Sequence, residues 1–388
     1  MKPVAILSAC RTPIGKFGGT LAELTAVDLG VVAIEESLQR ARLAPAQVDL
    51  AIVGMARQAG CGPNPARQMA VRAGIPVEAP SYTLNQACAS GLAALAMAAG
   101  HIALGEAQVV VAAGAESMSN VPYLLPAARW GLRLGHRKLV DGMYQDGFFC
   151  PLADMIMGET AEVVAGELSI GRAAQDEYAA TSQNRCQQAT EAGRFEAELV
   201  PVKTRKTVLS ADEHPRANVT AEKLAKLEPV FSKEGTITAG NASGITDGAS
   251  SLVVCSQEYV QAHGLKPMAW YTGGKTVGLD PVRMGLGPVH AMRAYFANGG
   301  GKLEDYDLIE LNEAFAAQVL ACHTQMPLPL ERVNVNGGAI ALGHPIGCTG
   351  NRIVVTLLHE MQRRQVAKGL ATLCVSGGLG ICASFDNA

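Results

Sequence analysis

The segment Asn85-Gln86-Ala87-Cys88-Ala89-Ser90-Gly91 sets a thiol between an apolar stretch, Tyr82-Thr83-Leu84, and a run rich in Ala, Gly and Leu that reads as a helix over residues 90–104. A helix N-terminus offers partial positive charge and free amide N–H groups, which stabilise a thiolate and, after attack, an oxyanion. Cys88 is therefore a candidate nucleophile, although a buried cysteine is more often a small apolar filler. A second candidate is His344, in Asn334-Val335-Asn336-Gly337-Gly338-Ala339-Ile340-Ala341-Leu342-Gly343-His344-Pro345-Ile346-Gly347. Its glycines permit unusual backbone angles and close ligand approach, and Gly343 and Pro345 fix the backbone on both sides of the ring. A lone histidine is usually structural or solvated; held in this way it is suited to act as a general base on a nearby thiol.

A third segment, Thr372-Leu373-Cys374-Val375-Ser376-Gly377-Gly378-Leu379-Gly380, reads as a strand that ends in a thiol and runs into a glycine turn. Ligands approach α/β sheets at such strand ends. The glycines lack the Gly-x-Gly-x-x-Gly spacing of a dinucleotide loop and the acidic residue that should follow it. The fourth, Glu310-Leu311-Asn312-Glu313-Ala314-Phe315, puts polar groups at a strand-to-helix junction, where Asn312 alone would read as a helix N-cap.

The elements needed to position these segments alternate. Apolar runs predict strands at 4–7, 48–53, 109–113, 251–254, 307–311 and 371–375, and helical spacing predicts helices at 24–40, 90–104, 314–322 and 350–362. This alternation implies a mainly parallel sheet with helices on its faces. Residues 118–241 are richer in charge, with clusters at 129–138 and 203–206, and read as an insertion. The stretch from Cys88 to Gly114 is faintly echoed by that from Cys348 to Gly377. Duplication and mere compositional likeness explain the echo about equally well.

A chain of 388 residues exceeds the size of one ordinary hydrophobic core, so at least two packed units are expected. With 48% hydrophobic and 17% charged residues and 42 glycines, the composition suits tightly packed α/β layers and excludes disorder. A net charge of −3 argues against a general polyanion binder, so no nucleic acid partner is expected. The ten cysteines are scattered, without a Cys-x-x-Cys pair or metal-ligand spacing, which predicts reduced thiols and no metal. No uncharged apolar run reaches the roughly 18 residues of a membrane span. The N-terminus passes straight into a strand without a secretory pattern, so the expected location is cytoplasmic.

Taken together and in this order, the four segments resemble the thiolase family, and the resemblance runs essentially from end to end. It extends to Arg11-Thr12-Pro13-Ile14-Gly15-Lys16-Phe17-Gly18-Gly19, Gly114-Ala115-Glu116-Ser117-Met118-Ser119 and Thr238-Ala239-Gly240-Asn241-Ala242-Ser243-Gly244. The resemblance implies an α/β thiolase fold: two similar α/β core domains in five layers (αβαβα), with an inserted loop domain over the active site. Residues 1–117 with 246–266 would form the N-terminal core domain, 118–245 the loop domain and 267–388 the C-terminal core domain.

It also implies reversible, CoA-dependent cleavage of 3-ketoacyl-CoA to acetyl-CoA and a shortened acyl-CoA, by a ping-pong mechanism through an acyl thioester. Carried over residue by residue, Cys88 is the acylated nucleophile, His344 the base that deprotonates it and Cys374 the second, acid/base cysteine. Asn312, through a water, and His344 match one oxyanion hole; the backbone N–H groups of Cys88 and Ser376 match the other. Met157, Ser243, Ala314 and Phe315 match positions lining the pantetheine tunnel, and Arg216 one near the adenine nucleotide. CoA is then a substrate and no cofactor is implied; the partners are CoA and acyl-CoA thioesters, and homodimers or homotetramers are usual in the family.

Two positions depart from the family pattern. Ser376 stands where Gly is usual, and Ile156 where members specialised for acetoacetyl-CoA often carry His, which leaves longer or branched acyl chains open. Three other readings compete with this one. Condensing enzymes of the ketosynthase or hydroxymethylglutaryl-CoA synthase type share the nucleophile but generally lack the second cysteine. A non-catalytic acyl-CoA or lipid carrier would keep only the fold, and a cysteine hydrolase would use Cys88 and His344 as a dyad.

Overall fold

In the computed structural model, which describes residues 3–388, the apolar runs become strands of one ten-stranded sheet. Its principal strands are β1 (Val4–Arg11), β2 (Leu50–Gly54), β3 (Ser81–Leu84), β4 (Val109–Ser117), β5 (Thr246–Cys255), β6 (Ala269–Gly278), β7 (Leu308–Leu311), β8 (Lys368–Val375) and β9 (Leu379–Asn387). They lie in the order β7-β8-β9-β6-β1-β5-β4-β2-β3, with Gly15–Lys16 as a short strand beside β5. The principal helices are α1 (Ala26–Ala41), α2 (Pro65–Arg72), α3 (Ser90–Ala103), α4 (Met157–Glu167), α5 (Arg172–Glu191), α6 (Gly287–Ala297), α7 (Ala316–Gln325) and α8 (Ile346–Arg364).

The sheet is mixed, not mainly parallel. Only β2 with β3, β2 with β4, and β7 with β8 pair in parallel; β1, β5, β6 and β9 run antiparallel to their neighbours. Two connections account for this. The insertion delivers β5 between β4 and β1, running against both. β8 returns as β9 through the turn Ser376-Gly377-Gly378, too short for the crossover that parallel strands need. Neither β6 nor β9 was expected from the sequence, because glycines and polar residues interrupt both.

Burial alternates with period two, and both faces are covered. In β4, Val110 and Ala112 face one core, while Val109, Val111, Ala113 and Ala115 face another. The first core holds α3 and α8 together with residues of β8 and β9. The second lies beneath α1 and α2. A third, beneath α6 and α7, takes Leu370 and Cys382 from the opposite faces of β8 and β9. The layers therefore run α, β, α, β, α, and a strand covered on both faces reads as a continuous apolar run.

The faint internal echo is a structural repeat. The relation of β2, β4, β5 and β1 is that of β7, β8, β9 and β6. Asp49, just before β2, accepts hydrogen bonds from the N–H groups of Gln108 (2.8 Å) and Val109 (2.9 Å). Asp307, just before β7, accepts them from Ala367 and Lys368, both at 2.9 Å. Compositional likeness would not place a carboxylate staple at matching points of both halves.

The repeat brings its two central helices together at their starts. A Cβ on Gly91 would lie 2.7 Å from the backbone N of Asn351, and one on Gly350 would lie 2.3 Å from that of Leu92. Only glycine permits so close a crossing. Cys88 and His344 each sit two residues ahead of one of these helices, so this contact fixes their relative position. The inserted region is tied to the core by buried Arg11, whose guanidinium binds Glu198 at 2.6 Å and Asp212 at 2.7 Å.

Candidate active site

A cavity of about 710 Å³ opens at the starts of the two central helices. Nine of the ten residues nominated from the sequence line it: Cys88, His344, Cys374, Ser376, Met157, Arg216, Ser243, Ala314 and Phe315. Ile156 lines it too. The exception is Asn312, which is fully buried behind the lining.

Cys88 is presented to the cavity from a single 3-10 turn ahead of α3, and Ala87 before it holds φ at 46°, a sparsely populated conformation for a residue with a side chain. Burial pushes the Cys88 thiol pKa up; the Arg57 cation and the backbone N–H groups of Ser376 and Cys88 itself oppose that shift. The two amides that favour the thiolate come one from each half of the repeat. Burial, and next the nearby Cys88, raise the Cys374 thiol well above its ordinary value. Burial thus favours the neutral thiol at both cysteines.

The turn that delivers the Ser376 amide explains why serine is tolerated there. The left-handed backbone angles fall on Gly377 (φ 86°) and Gly378 (φ 82°) and not on residue 376. A Cβ at Gly378 would come within 2.3 Å of the Leu279 carbonyl oxygen. The strain is carried by the two glycines, and the serine keeps the N–H in place.

His344 is held on every side. Its backbone N–H donates to the Gly244 carbonyl at 3.0 Å, and Gly343 (φ 96°) leaves no room for a side chain against Thr246. Its Nδ1 lies 2.6 Å from Thr349 Oγ1, and that hydroxyl donates to the Pro345 carbonyl at 2.9 Å. With its single proton so directed, Thr349 accepts from Nδ1–H, which leaves the Nε2 lone pair free. Nε2 is buried with no protein partner. Burial, aided by the Arg352 and Arg57 cations, lowers the His344 pKa to about 3. The ring is neutral and in the tautomer a general base requires. Glu116 braces the same loop, accepting from the N–H groups of Gly347 (2.9 Å), Ala56 (3.0 Å) and Arg57 (3.0 Å).

Asn312 does not cap a helix, since α7 begins at Ala316 with Phe315 in the cap position. Its backbone N–H donates to the Thr372 carbonyl at 3.0 Å, and both polar atoms of its side chain are buried without protein partners. Glu313 beside it is structural. Its carboxylate accepts from Tyr178 (2.9 Å), Ser182 (2.7 Å), Asn334 (3.1 Å) and the Ile340 N–H (3.1 Å), and so ties the glycine-rich segment before His344 to α5. On the far wall the Ser243 N–H donates to the Ala314 carbonyl at 3.0 Å, so those two lining residues come as a pair. Arg216 is exposed at the rim.

Sequence reasoning missed Thr349, Arg57 and Glu116. Thr349 stands five residues after His344 on the first turn of α8, a spacing that could have suggested it. Nothing in the local sequence around Arg57 signals that it faces the cavity.

The fold and site define a duplicated α/β protein whose cavity holds a thiol at a helix start, a neutral histidine and a second thiol. Residues 4–258 match the thiolase N-terminal domain and residues 265–387 the thiolase C-terminal domain. The chain belongs to the thiolase family. It is 50% identical to an acetyl-CoA acetyltransferase of Escherichia coli K12 over 98% of each chain, and 48% identical to one of Cupriavidus necator over the full length of both. Among solved structures it is similar to the acetyl-CoA acetyltransferase of Bacillus anthracis (TM-score 0.97, 45% identity, covering 100% of this chain and 99% of that one). It is equally similar in fold to human mitochondrial 3-ketoacyl-CoA thiolase in complex with CoA (TM-score 0.97, 39% identity, 100% and 98%).

Proposed function

We propose that this protein is an acyltransferase that cleaves 3-ketoacyl-CoA with CoA, or runs the reverse condensation of acyl-CoA with acetyl-CoA, through an acyl group on Cys88. The reading rests above all on the convergence of two thiols and a neutral imidazole on one cavity, where the Ser376 amide favours the Cys88 thiolate. Names carried by relatives at 39–50% identity, acetyl-CoA acetyltransferase and 3-ketoacyl-CoA thiolase, agree with it.

In this mechanism His344 Nε2 takes the Cys88 proton, and the thiolate attacks the 3-keto carbon. The N–H groups of Cys88 and Ser376 hold the oxygen of the carbon bound to sulfur. The C2–C3 bond breaks, its electron pair leaving as the enolate of acetyl-CoA. Protonated His344, together with Asn312 through a water, stabilises the enolate oxygen. Cys374 donates its proton to the carbanion, acetyl-CoA departs, and the resulting Cys374 thiolate accepts the proton of an incoming CoA thiol. The CoA thiolate attacks the acyl carbon, the bond from that carbon to the Cys88 sulfur breaks, and protonated His344 returns its proton to the Cys88 thiolate. Met157, Ser243, Ala314 and Phe315 would line the pantetheine arm, with Arg216 at the rim toward the nucleotide. CoA enters as substrate, and no resident cofactor takes part.

The division into residues 1–117 with 246–266, 118–245 and 267–388 is part of the same reading. So is a cytoplasmic homodimer or homotetramer, for which the exposed Trp130 (85%) and Leu134 (90%) of the insertion offer apolar contact surface. No described helix is long and apolar enough to cross a membrane. The direct test is consumption of acetoacetyl-CoA as CoA is varied. Two acetyl-CoA should form per acetoacetyl-CoA, with parallel double-reciprocal plots; consumption independent of CoA would point to a hydrolase instead.

A further inference from the structure

One charged side chain in the cavity wall has no role in the chemistry above. Arg57 is 6% exposed, and its Nε is buried with no hydrogen-bond partner. Among the described residues its guanidinium forms no ion pair with a carboxylate. Glu116 is near enough to feel it, but its oxygens are engaged by three backbone N–H groups. Arg57 also borders a smaller cleft, where Asp28 is taken up by Arg72 and Thr25. A buried cation without a partner is costly, and a ligand can supply the missing anion.

Its surroundings locate that anion. A Cβ on Gly147 would fall 1.9 Å from Arg57 Nη2, so the guanidinium lies against the backbone at Gly147. Phe148 follows Gly147 and packs with Cys88 against the small apolar cluster of Ala56, Met118, Met143 and Ile346. The positive charge acts on both Cys88 and His344. Arg57 therefore stands at the Cys88 end of the cavity, where an acyl chain attached to the sulfur would lie.

We propose that Arg57 binds a carboxylate at the far end of the acyl chain, so that the preferred substrates are CoA thioesters of 3-oxo dicarboxylic acids. This rests on the thiolase reading and names its substrate class. Cys88 sulfur bonds to C3, the C2–C3 bond breaks, its electron pair leaves with the acetyl-CoA portion and Cys374 protonates it. The group left on Cys88 ends in a free carboxylate that the planar guanidinium can hold with two hydrogen bonds. A neutral chain of equal length leaves the cation unpaired, which discriminates against it.

The test compares thiolysis of 3-oxohexanedioyl-CoA and 3-oxohexanoyl-CoA, which differ only in the terminal carboxylate. The wild-type protein should favour the first in kcat/KM by about 10-fold or more, Arg57→Leu should bring the ratio to unity or below, and Arg57→Lys should keep part of the preference. A wild-type ratio at or below unity overturns the proposal, and that measurement needs no variant. So does an equal fall for both substrates in Arg57→Leu, which would make Arg57 a support for the Cys88 chemistry. If neither thioester is cleaved and acetyl-CoA leaves no acyl group on Cys88, the thiolase reading itself fails; normal acetyl transfer with the wrong ratio sinks the substrate class alone.

Discussion

The Nδ1 of His344 lies 2.6 Å from the Oγ1 of Thr349, and both stand on the loop and first turn that open α8. Because the threonine proton goes to the Pro345 carbonyl, the hydroxyl fixes which imidazole nitrogen is free. Thr349→Val keeps the shape and removes that control. We expect kcat to fall roughly 10- to 100-fold with KM for CoA little changed. Steady-state kinetics check this, and an unaltered kcat would show that packing alone orients the ring.

Cys374 is a buried thiol whose proton is held tightly. A serine there keeps the size but is a far weaker acid, so carbanion protonation should suffer while attack by Cys88 does not. Cys374→Ser should lower turnover by about 10²-fold or more and still form acyl-enzyme from acetyl-CoA. Single-turnover acylation measured beside steady-state turnover separates the two steps; equal loss in both would contradict the division of labour.

The sequence made the nucleophile legible because its setting is local: an apolar strand, a thiol and a small-residue helix lie within about twenty residues. Strands buried on both faces, such as β4, were legible for a similar reason. What escaped were features set by distant partners. β6 and β9 carry glycines because α6 and Tyr295 pack closely against them, and a period-two reading discounts such strands. Antiparallel order follows from where the insertion returns, which no local pattern encodes. Arg57 reads as one more surface charge until Gly147, ninety residues later, is seen to lie against it. Asn312 reads as a helix cap until the helix is seen to start at Ala316.

The crossing of α3 and α8 can be tested by crowding it. Gly91→Ala would push a methyl to 2.7 Å from the Asn351 backbone N and should cost about 1–3 kcal/mol. Activity should fall as well, since Cys88 and His344 are set by the same contact. Gly100→Ala, in the same helix with nothing within 4 Å of the added carbon, should be neutral or gain about 0.5–1 kcal/mol. Denaturant midpoints compare the two, and similar values would mean that the helices can separate without cost.

Stability should fall in acid. Burial lowers the pKa of His344 from 6.5 to about 3, and that of His359 in the same direction. Between pH 6.5 and 3 the unfolded chain therefore binds protons that the native state refuses, so stability is full above pH 6.5 and is lost as pH falls toward 3. For His344 the whole effect is on the order of 5 kcal/mol. His344→Asn should flatten the decline in denaturant midpoint over that range; an unchanged slope would assign the loss to other groups.

The central claim is that Cys88 carries the acyl group, and intact-protein mass spectrometry after mixing with acetyl-CoA tests it most directly. The wild-type chain should gain one acetyl group, lose it on addition of CoA, and gain none in Cys88→Ala. An adduct that persists in Cys88→Ala, or no adduct at all with folded wild-type protein, would contradict the account.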